Sequence, residues 1–120
     1  MKEGHYVADE YTIILNGTPN RGRFDEMRTD PIISGLDEDS ISAMEVCSEM
    51  AYRFEGGEWD KTLNGRKISP KAPAKNYRID GEKIILFNAH GKPESTTLLL
   101  RDDAIEERLG KVLSIHYRKK

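Results

Sequence analysis

Alternating apolar and polar positions mark the first element of the chain. Residues 6–15 are rich in β-branched and aromatic side chains, and large apolar residues occupy every second position from 11 to 15. This period of two is typical of a strand with one buried face. Asn16-Gly17 opens a turn-rich stretch, so the sequence predicts a hairpin whose returning strand covers residues 23–27.

A helical spacing follows a loop predicted over residues 28–35. Apolar residues recur at intervals of three and four through residues 37–53, which predicts one long amphipathic helix. Asp37 is a suitable N-cap residue, and Gly56-Gly57 is expected to end the helix. The predicted buried stripe consists of Ile41, Met44, Cys47, Ala51 and Phe54.

Short strands joined by tight turns are predicted in the second half. Asn64-Gly65 and Asp80-Gly81 are dipeptides that favour two-residue hairpins, because both residues tolerate positive φ. Residues 84–87 and 98–100 are apolar at consecutive positions, which predicts two central strands covered on both faces. Residues 112–117 alternate again and predict a final strand.

A short second helix is predicted between the last two strands. Asp103 and Glu106 have the spacing of a capping box, and Ile105 and Leu109 would share one helical face. Gly110 would end this helix. Together these elements predict an α+β fold, in which a largely antiparallel sheet of about five or six strands packs against one long and one short helix.

Length and composition favour one compact domain over residues 1–120. The chain is 37% hydrophobic, enough for a single core. No apolar run approaches the roughly 20 residues that cross a bilayer, and the first residues lack the apolar stretch of a secretion signal, so a cytoplasmic protein is expected. The single cysteine excludes an internal disulfide.

Charge is divided unevenly along the chain. Residues 1–60 carry 5 basic and 14 acidic side chains, a net of −9, whereas residues 61–120 carry 14 basic and 7 acidic ones, a net of +7. We expect part of this charge to pair across the fold. The alternative is a molecule with an acidic and a basic face, which could steer a charged partner or associate with a second copy of itself.

Catalytic motifs are missing from the sequence, so we expect a protein that is not an enzyme and needs no cofactor. Cys47 lies on the apolar stripe of the long helix, which predicts a buried structural thiol rather than a nucleophile. Histidines and carboxylates do not have the spacing of a metal site. The Glu106-Glu107 pair is explained by capping and solubility of the short helix.

A basic, proline-containing stretch over residues 66–78 is the clearest candidate for ligand binding. Lysine and arginine bind phosphates, and a tyrosine ring can stack on a base. Cations at the first hairpin tip and in the loop after residue 87 could converge with this stretch on one pocket. The predicted ligand-binding residues are Arg21, Arg23, Arg66, Lys67, Lys71, Lys75, Tyr77, Arg78, His90 and Lys92. Alternatively, the stretch is a solvated loop.

Two functions are therefore predicted from the sequence. The first, and preferred, is an interaction protein such as an inhibitor, immunity protein or phage-type accessory factor, which binds a protein partner through the acidic face of the long helix. Its predicted contact residues are Glu38, Asp39, Glu45 and Glu49. The second is a binding protein for a phosphate-bearing ligand, such as a nucleotide or single-stranded nucleic acid. The protein is also expected to be able to form a homo-oligomer.

Overall fold

The computed structural model describes residues 1–68, 73–102 and 104–120, and strands dominate it at 57%, against 18% helix. The strands are β1 Gly4–Leu15, β2 Thr18–Arg23, β3 Met50–Glu55, β4 Glu58–Leu63, β5 Arg66–Lys67, β6 Lys75–Asp80, β7 Lys83–Phe87, β8 Pro93–Arg101, β9 Ala104–Leu109 and β10 Leu113–Lys119. Between β2 and β3 lie a 3-10 helix, Phe24–Thr29, and two α-helices, α1 Pro31–Ser34 and α2 Glu38–Ser48.

Eight antiparallel strands form a closed barrel. They follow the order β10-β9-β8-β7-β6-β4-β3-β1, and β1 pairs again with β10, from Tyr6 opposite Lys119 to Ile13 opposite Leu113. This closure leaves no open edge along the ring of eight strands. The predicted α+β fold, a sheet packed against one long and one short helix, is therefore wrong.

Strand β1 is long enough to pair with two different strands along one of its edges. Its first residues, Gly4 to Val7, pair with β3, and Glu10 to Leu15 pair with the outlying strand β2. The register against β10 shifts between Ala8 and Glu10. A bulge of this kind bends a strand and increases its twist, which suits a strand that changes partners at a barrel rim.

Two apolar clusters fill the structure. The barrel interior is aromatic and aliphatic, whereas the second cluster joins the C-terminal half of β1 to the helices. The interior cluster contains Tyr6, Tyr52, Phe54, Trp59, Ile84, Leu86, Leu98, Ile105, Ile115 and Tyr117. The second contains Tyr11, Ile13, Met27, Ile33, Ile41 and Met44. Within the described ranges, no helix has the length and apolar character needed to cross a membrane.

The predicted long helix is about a turn and a half too long. Asp37 does cap it, since its carboxylate accepts a hydrogen bond from the Ser40 amide at 2.7 Å. However, α2 ends at Ser48, and Met50–Glu55 is the strand β3. In that strand Tyr52 and Phe54 both face the barrel, so the aromatic alternation overrides the helical spacing of Ala51 and Phe54.

The first hairpin is tighter than predicted. Its strand returns directly after Asn16-Gly17, with Leu15 opposite Thr18, so the partner strand is Thr18–Arg23 and not residues 23–27. The following residues form the 3-10 helix and α1 where a loop was expected. Gly56-Gly57 forms the β3–β4 turn instead of a helix end.

The predicted short helix is also wrong, because Ala104–Leu109 is the strand β9. Its supposed cap, Asp103, lies outside the described residues. The two hairpin turns of this half are present: Asn64-Gly65 connects β4 to β5 with φ of 57° and 79°. The second turn lies one residue later than predicted, at Gly81 and Glu82, since Asp80 pairs with Lys83.

The strands predicted at residues 84–87 and 98–100 are present, but they are not covered equally on both faces. Ile84, Leu86 and Leu98 face the barrel interior and are buried. Ile85 and Leu99 lie on the outer face and are half-buried. The apolar outer positions therefore belong to a barrel wall and not to a sheet between two layers of helix.

Candidate functional site

A buried carboxylate lies inside the barrel. On β9 the inward positions are Ile105 and Glu107, and Glu107 is only 2% exposed. The Tyr52 hydroxyl, from β3, donates to Glu107 Oε2 at 2.9 Å, and the Tyr117 hydroxyl, from β10, donates to Oε1 at 2.6 Å. The assignment of Glu107 to a solvated helix face is therefore wrong, because the strand turns this side chain inward.

A lysine completes the environment of this carboxylate. Lys61 on β4 lies directly opposite Tyr52 on β3, and its Nζ is 3.4 Å from Glu107 Oε2. The Lys61 side chain is 24% exposed, so its ammonium contacts the buried carboxylate and is also accessible to solvent. A buried charge requires a counter-ion and hydrogen bonds, and Glu107 has both.

Three groups near Glu107, namely Tyr52, Tyr117 and Cys47, have raised pKa values, which disfavour their nucleophilic anions. Burial, and then the negative charge of Glu107, raise the pKa of the Tyr52 and Tyr117 hydroxyls well above the usual range. Both phenols therefore stay protonated and donate hydrogen bonds to Glu107. Burial and then Glu107 also raise the pKa of the Cys47 thiol, which is half-buried against the barrel core. The cluster is suited to holding groups in place rather than to covalent attack.

A cavity of about 230 Å³ adjoins this cluster. Two aromatic side chains and two lysines contribute to its wall. Trp59 on β4 is held by a hydrogen bond from its Nε1 to the Phe87 carbonyl at 2.9 Å. The Lys75 Nζ, from the paired position on β6, lies 4.0 Å from the centre of the Trp59 ring. The cavity is lined by Tyr52, Trp59, Asp60, Lys61, Ile68, Lys75, Leu86, Glu94 and Thr96.

Some of the charged side chains along the cavity wall form ion pairs and others do not. Asp60 pairs with Lys67 at 3.3 Å, and Lys61 pairs with Glu107. Among the residues that the structure describes, Lys75 has no carboxylate within ion-pair distance. Glu94 is exposed at the cavity wall and contributes the remaining negative charge. The wall therefore carries lysine ammonium groups that retain donors for a further partner.

The predicted ligand-binding residues that the structure describes do not converge on one pocket. At the first hairpin, Arg21 pairs with Glu10 at 3.1 Å and Arg23 with Asp25 at 3.1 Å. His90 lies in the turn after β7, where its amide donates to the Asn88 side chain. These positions lie away from the cavity wall, and Lys75 is the one member of the predicted set, among residues 1–68, 73–102 and 104–120, that contributes to this wall.

The basic stretch itself is divided by the strands that it forms. Arg66 is exposed on β5, and Lys67 beside it pairs with Asp60. Lys71 lies outside the described residues. Lys92 is exposed in the turn before β8. The cations of this half therefore point to several parts of the surface.

Tyr77 and Arg78 have partners within the barrel wall. The Tyr77 ring packs edge-to-face on Phe54 at 4.9 Å, and its hydroxyl donates to Glu3 Oε2 at 2.7 Å. Burial raises the pKa of Tyr77 to about 12, with a further contribution from the Glu3 hydrogen bond. The Arg78 guanidinium lies 5.6 Å from the centre of the Phe87 ring. Neither side chain contributes to the cavity.

The predicted protein-binding residues lie along or just after α2. Glu38 and Asp39 are exposed in its first turn, and Glu49 is exposed at its C-terminal end. Glu45 forms an ion pair with Arg28. No finding tests whether these residues bind a partner, and that assignment stays a prediction.

Part of the expected charge pairing between the two halves is present. Arg118 on β10 pairs with Asp9 at 3.1 Å and with Glu10 at 3.5 Å on β1. The β1–β10 pairing that closes the barrel thus also brings opposite charges together. These pairs are on the surface, so each contributes little to stability.

A second groove, of about 440 Å³, lies on the outer face of β1 and β10. At its base His116 Nε2 lies 2.8 Å from Thr12 Oγ1, and burial followed by the charge of Arg21 lowers the pKa of this histidine. The groove has no aromatic wall. In the described ranges, no group of three His, Cys, Asp or Glu side chains is placed to hold a metal ion.

Comparison with known proteins does not identify a relative: no protein-family model, curated protein or solved structure matches this chain. The site therefore has to be interpreted from its own geometry. Sequence reasoning missed five of its principal residues, Tyr52, Trp59, Lys61, Glu107 and Tyr117. The available signal for Glu107 was its spacing of two from the apolar Ile105, because that spacing places both side chains on one face of a strand.

Proposed function

We propose that this protein is a non-enzymatic barrel that binds a small organic molecule in the cavity beside Trp59. The observation that carries the proposal is the combination of an aromatic wall with lysine ammonium groups at one concave site. Ligand sites are concave and mostly apolar, with a few polar groups that orient the ligand. Trp59, Tyr52 and Leu86 supply the apolar wall, and Lys61 and Lys75 supply the polar groups.

The proposal keeps ligand binding from the alternative predicted from the sequence, but it changes the location of the site and replaces the phosphate-bearing ligand with a small organic molecule. Lys75 stays in the site, while Trp59 replaces Tyr77 as the aromatic contact. The buried Glu107 gives the site a rigid base, because its hydrogen bonds join β3, β9 and β10. Rigid positioning lowers the ordering cost of binding.

Trp59 also supplies the assay, since it is the single tryptophan of the chain. We would titrate small aromatic and aliphatic compounds up to millimolar concentration and follow Trp59 fluorescence, with calorimetry as a second readout. The Thr96→Phe variant places a ring in the cavity wall, and Thr97→Phe places the same ring at the exposed next position of β8. We expect a saturable signal that Thr96→Phe abolishes and Thr97→Phe retains.

Two results would overturn this function. One is the absence of a saturable response to every compound by both readouts. The other is equal affinity of the wild-type protein and a folded Thr96→Phe variant, because a ligand in the cavity cannot share that space with the added ring. Far-ultraviolet circular dichroism would show that both variants fold.

The protein-partner hypothesis is retained as a second candidate because of one surface feature. Val46 is 46% exposed on α2, and Glu49 one turn later is also exposed. An exposed apolar residue beside carboxylates is compatible with a basic, partly apolar partner. Neutralising Glu38, Asp39, Glu45 and Glu49 together should weaken capture of such a partner, and unchanged capture would reject this surface.

A further inference from the structure

We infer that the ligand of the Trp59 cavity is a small organic monoanion, with a carboxylate head held by Lys61 and Lys75 and an apolar or aromatic body against Trp59. This inference rests on the proposed function and specifies its ligand class. It is carried by the juxtaposition of two lysines with unused donors and an indole face on one cavity wall.

The Lys61 ammonium has N–H donors that its contact with Glu107 does not use. Its ammonium carries three N–H groups, and its contact with Glu107 Oε2, at 3.4 Å, is longer than the 2.7–2.9 Å of a strong charge-assisted hydrogen bond. Glu107 is also satisfied by two tyrosine hydroxyls. Lys61 can therefore keep its counter-ion and still donate to a carboxylate in the cavity.

Lys75 is the more available of the two lysines. Its ammonium rests on the Trp59 ring, and the described part of the chain offers it no ion pair. A cation–π contact is weaker than a charge-assisted hydrogen bond between an ammonium and a carboxylate. A ligand carboxylate offers Lys75 a stronger partner, and movement of the ammonium toward that head uncovers the indole for the ligand body.

A cationic ligand fits this arrangement poorly. It would have to approach two lysines, or displace Lys61 from Glu107 and take its place. Displacement costs the most, because Glu107 is nearly fully buried and already accepts a hydrogen bond at each oxygen. The acids also limit the negative charge of the ligand: Glu94 and Asp60 on the same wall repel a dianion more strongly than a monoanion.

Cavity size restricts the body of the ligand. The volume of about 230 Å³ is below the roughly 300–1,000 Å³ typical of sites for drug-sized molecules. Leu86 and Trp59 line this space, so the body is apolar and small, of the size of one substituted ring. A nucleotide or an oligonucleotide exceeds this volume.

The test uses four compounds with one aromatic body: 3-phenylpropionate, 3-phenylpropanol, 3-phenylpropylamine and 3-phenylpropyl phosphate. Binding is followed by Trp59 fluorescence and by calorimetry at low and high salt. We expect the carboxylate to bind about tenfold more tightly than the alcohol, and this advantage to shrink as salt rises. The amine and the phosphate dianion should bind more weakly than the carboxylate.

Matched lysine variants locate the head of the ligand. Lys75→Met removes the charge and keeps an apolar chain over Trp59, whereas Lys83→Met removes an exposed lysine of β7 that does not line the cavity. Lys75→Met should reduce carboxylate affinity about three- to tenfold and leave alcohol affinity unchanged, and Lys83→Met should not produce this selective loss. Lys61→Met is less suitable as the sole variant because it leaves Glu107 without its counter-ion.

The outcomes separate the two proposals. Equal binding of the carboxylate and the alcohol, or tighter binding of the amine or phosphate, overturns the monoanion assignment and leaves the cavity as a ligand site. Equal loss of carboxylate affinity in Lys75→Met and Lys83→Met overturns the role of Lys75. If none of the four compounds and no member of the wider panel binds, both proposals are overturned.

Discussion

Replacing Tyr117 by phenylalanine removes one hydroxyl from the buried cluster and keeps the ring. That hydroxyl donates to Glu107 Oε1 at 2.6 Å, and Tyr117 is 1% exposed, so water cannot easily replace it. A hydrogen bond to a charged group contributes about 1.5–3 kcal/mol, and removing the donor leaves a buried oxygen without a partner. We therefore expect Tyr117→Phe to lower the free energy of unfolding by about 2 kcal/mol.

Equilibrium unfolding in urea measures this loss directly. With a slope of about 1–3 kcal/mol/M, a loss of this size moves the midpoint by about 1 M. The matched control is Tyr77→Phe, which also removes a hydroxyl bound to a glutamate. The acceptor there is the exposed Glu3, which retains hydrogen bonds from the Gly56 and Gly57 amides at 3.0 and 2.9 Å. We expect a clearly smaller shift for the control.

Equal shifts for Tyr117→Phe and Tyr77→Phe would refute the reasoning, because Glu107 is buried and loses the donor to Oε1, whereas the exposed Glu3 retains two amide donors. A double-mutant cycle with Glu107→Gln sharpens the test. If Tyr117 acts through the Glu107 carboxylate, the two losses are not additive, and the coupling exceeds about 0.5 kcal/mol. Additive losses would show that the hydroxyl stabilises the barrel by another route.

Two further predictions concern the N-terminal strand and its first hairpin. Hydrogen bonds from Gly57 and Tyr77 lower the pKa of Glu3, so the stabilising effect of its carboxylate should be complete above the ordinary pKa of 4.5 and disappear as pH falls through the lowered value. The urea midpoints of the wild-type protein and Glu3→Gln should therefore converge at acid pH. A difference that stays constant with pH would contradict this. A Cβ at Gly22 would overlap the Tyr11 hydroxyl, so Gly22→Ala should lower the free energy of unfolding by about 1–3 kcal/mol, measured by thermal or urea unfolding. The control Gly35→Ala should be nearly neutral, because Gly35 has an ordinary φ of −83° and an added Cβ would make only ordinary van der Waals contacts.

Local chemistry predicted several elements correctly. Asn16-Gly17 and Asn64-Gly65 occupy turns with positive φ, and Asp37 caps α2 through the Ser40 amide. These features depend on neighbouring residues, so a single sequence contains the information that determines them.

The wrong prediction of the short helix came from a spacing that helix and strand share. Residues four apart lie on one face in both structures, so Ile105 and Leu109 fitted the predicted helix as well as they fit β9. Glu107, midway between them, distinguishes the two: a helix turns it away from that face and a strand turns it to the same side. The negative charge of Glu107 favoured a position facing solvent. That interpretation would be correct only if the barrel interior offered the carboxylate no counter-ion.

The candidate site was largely inaccessible to sequence reasoning. Glu107 meets Tyr52 across 55 residues and Lys61 across 46 residues of chain. Lys75 was predicted as a ligand-binding residue from local charge, but its position over Trp59 follows from the β4–β6 pairing. Which of several basic residues face one cavity depends on strand register, and register is determined by the whole barrel.

The sequence by itself determined several of the strand-forming segments, most of the tight turns and the start of α2, because these depend on side chains a few positions apart. It predicted β3 and β9 as helix. The tertiary structure alone decided that β1 pairs with β10, that the sheet closes into a barrel, and that Glu107 lies inside it. Closure joins residues at opposite ends of the chain. A carboxylate becomes stable in the interior only once three other strands have brought it two hydroxyls and an ammonium.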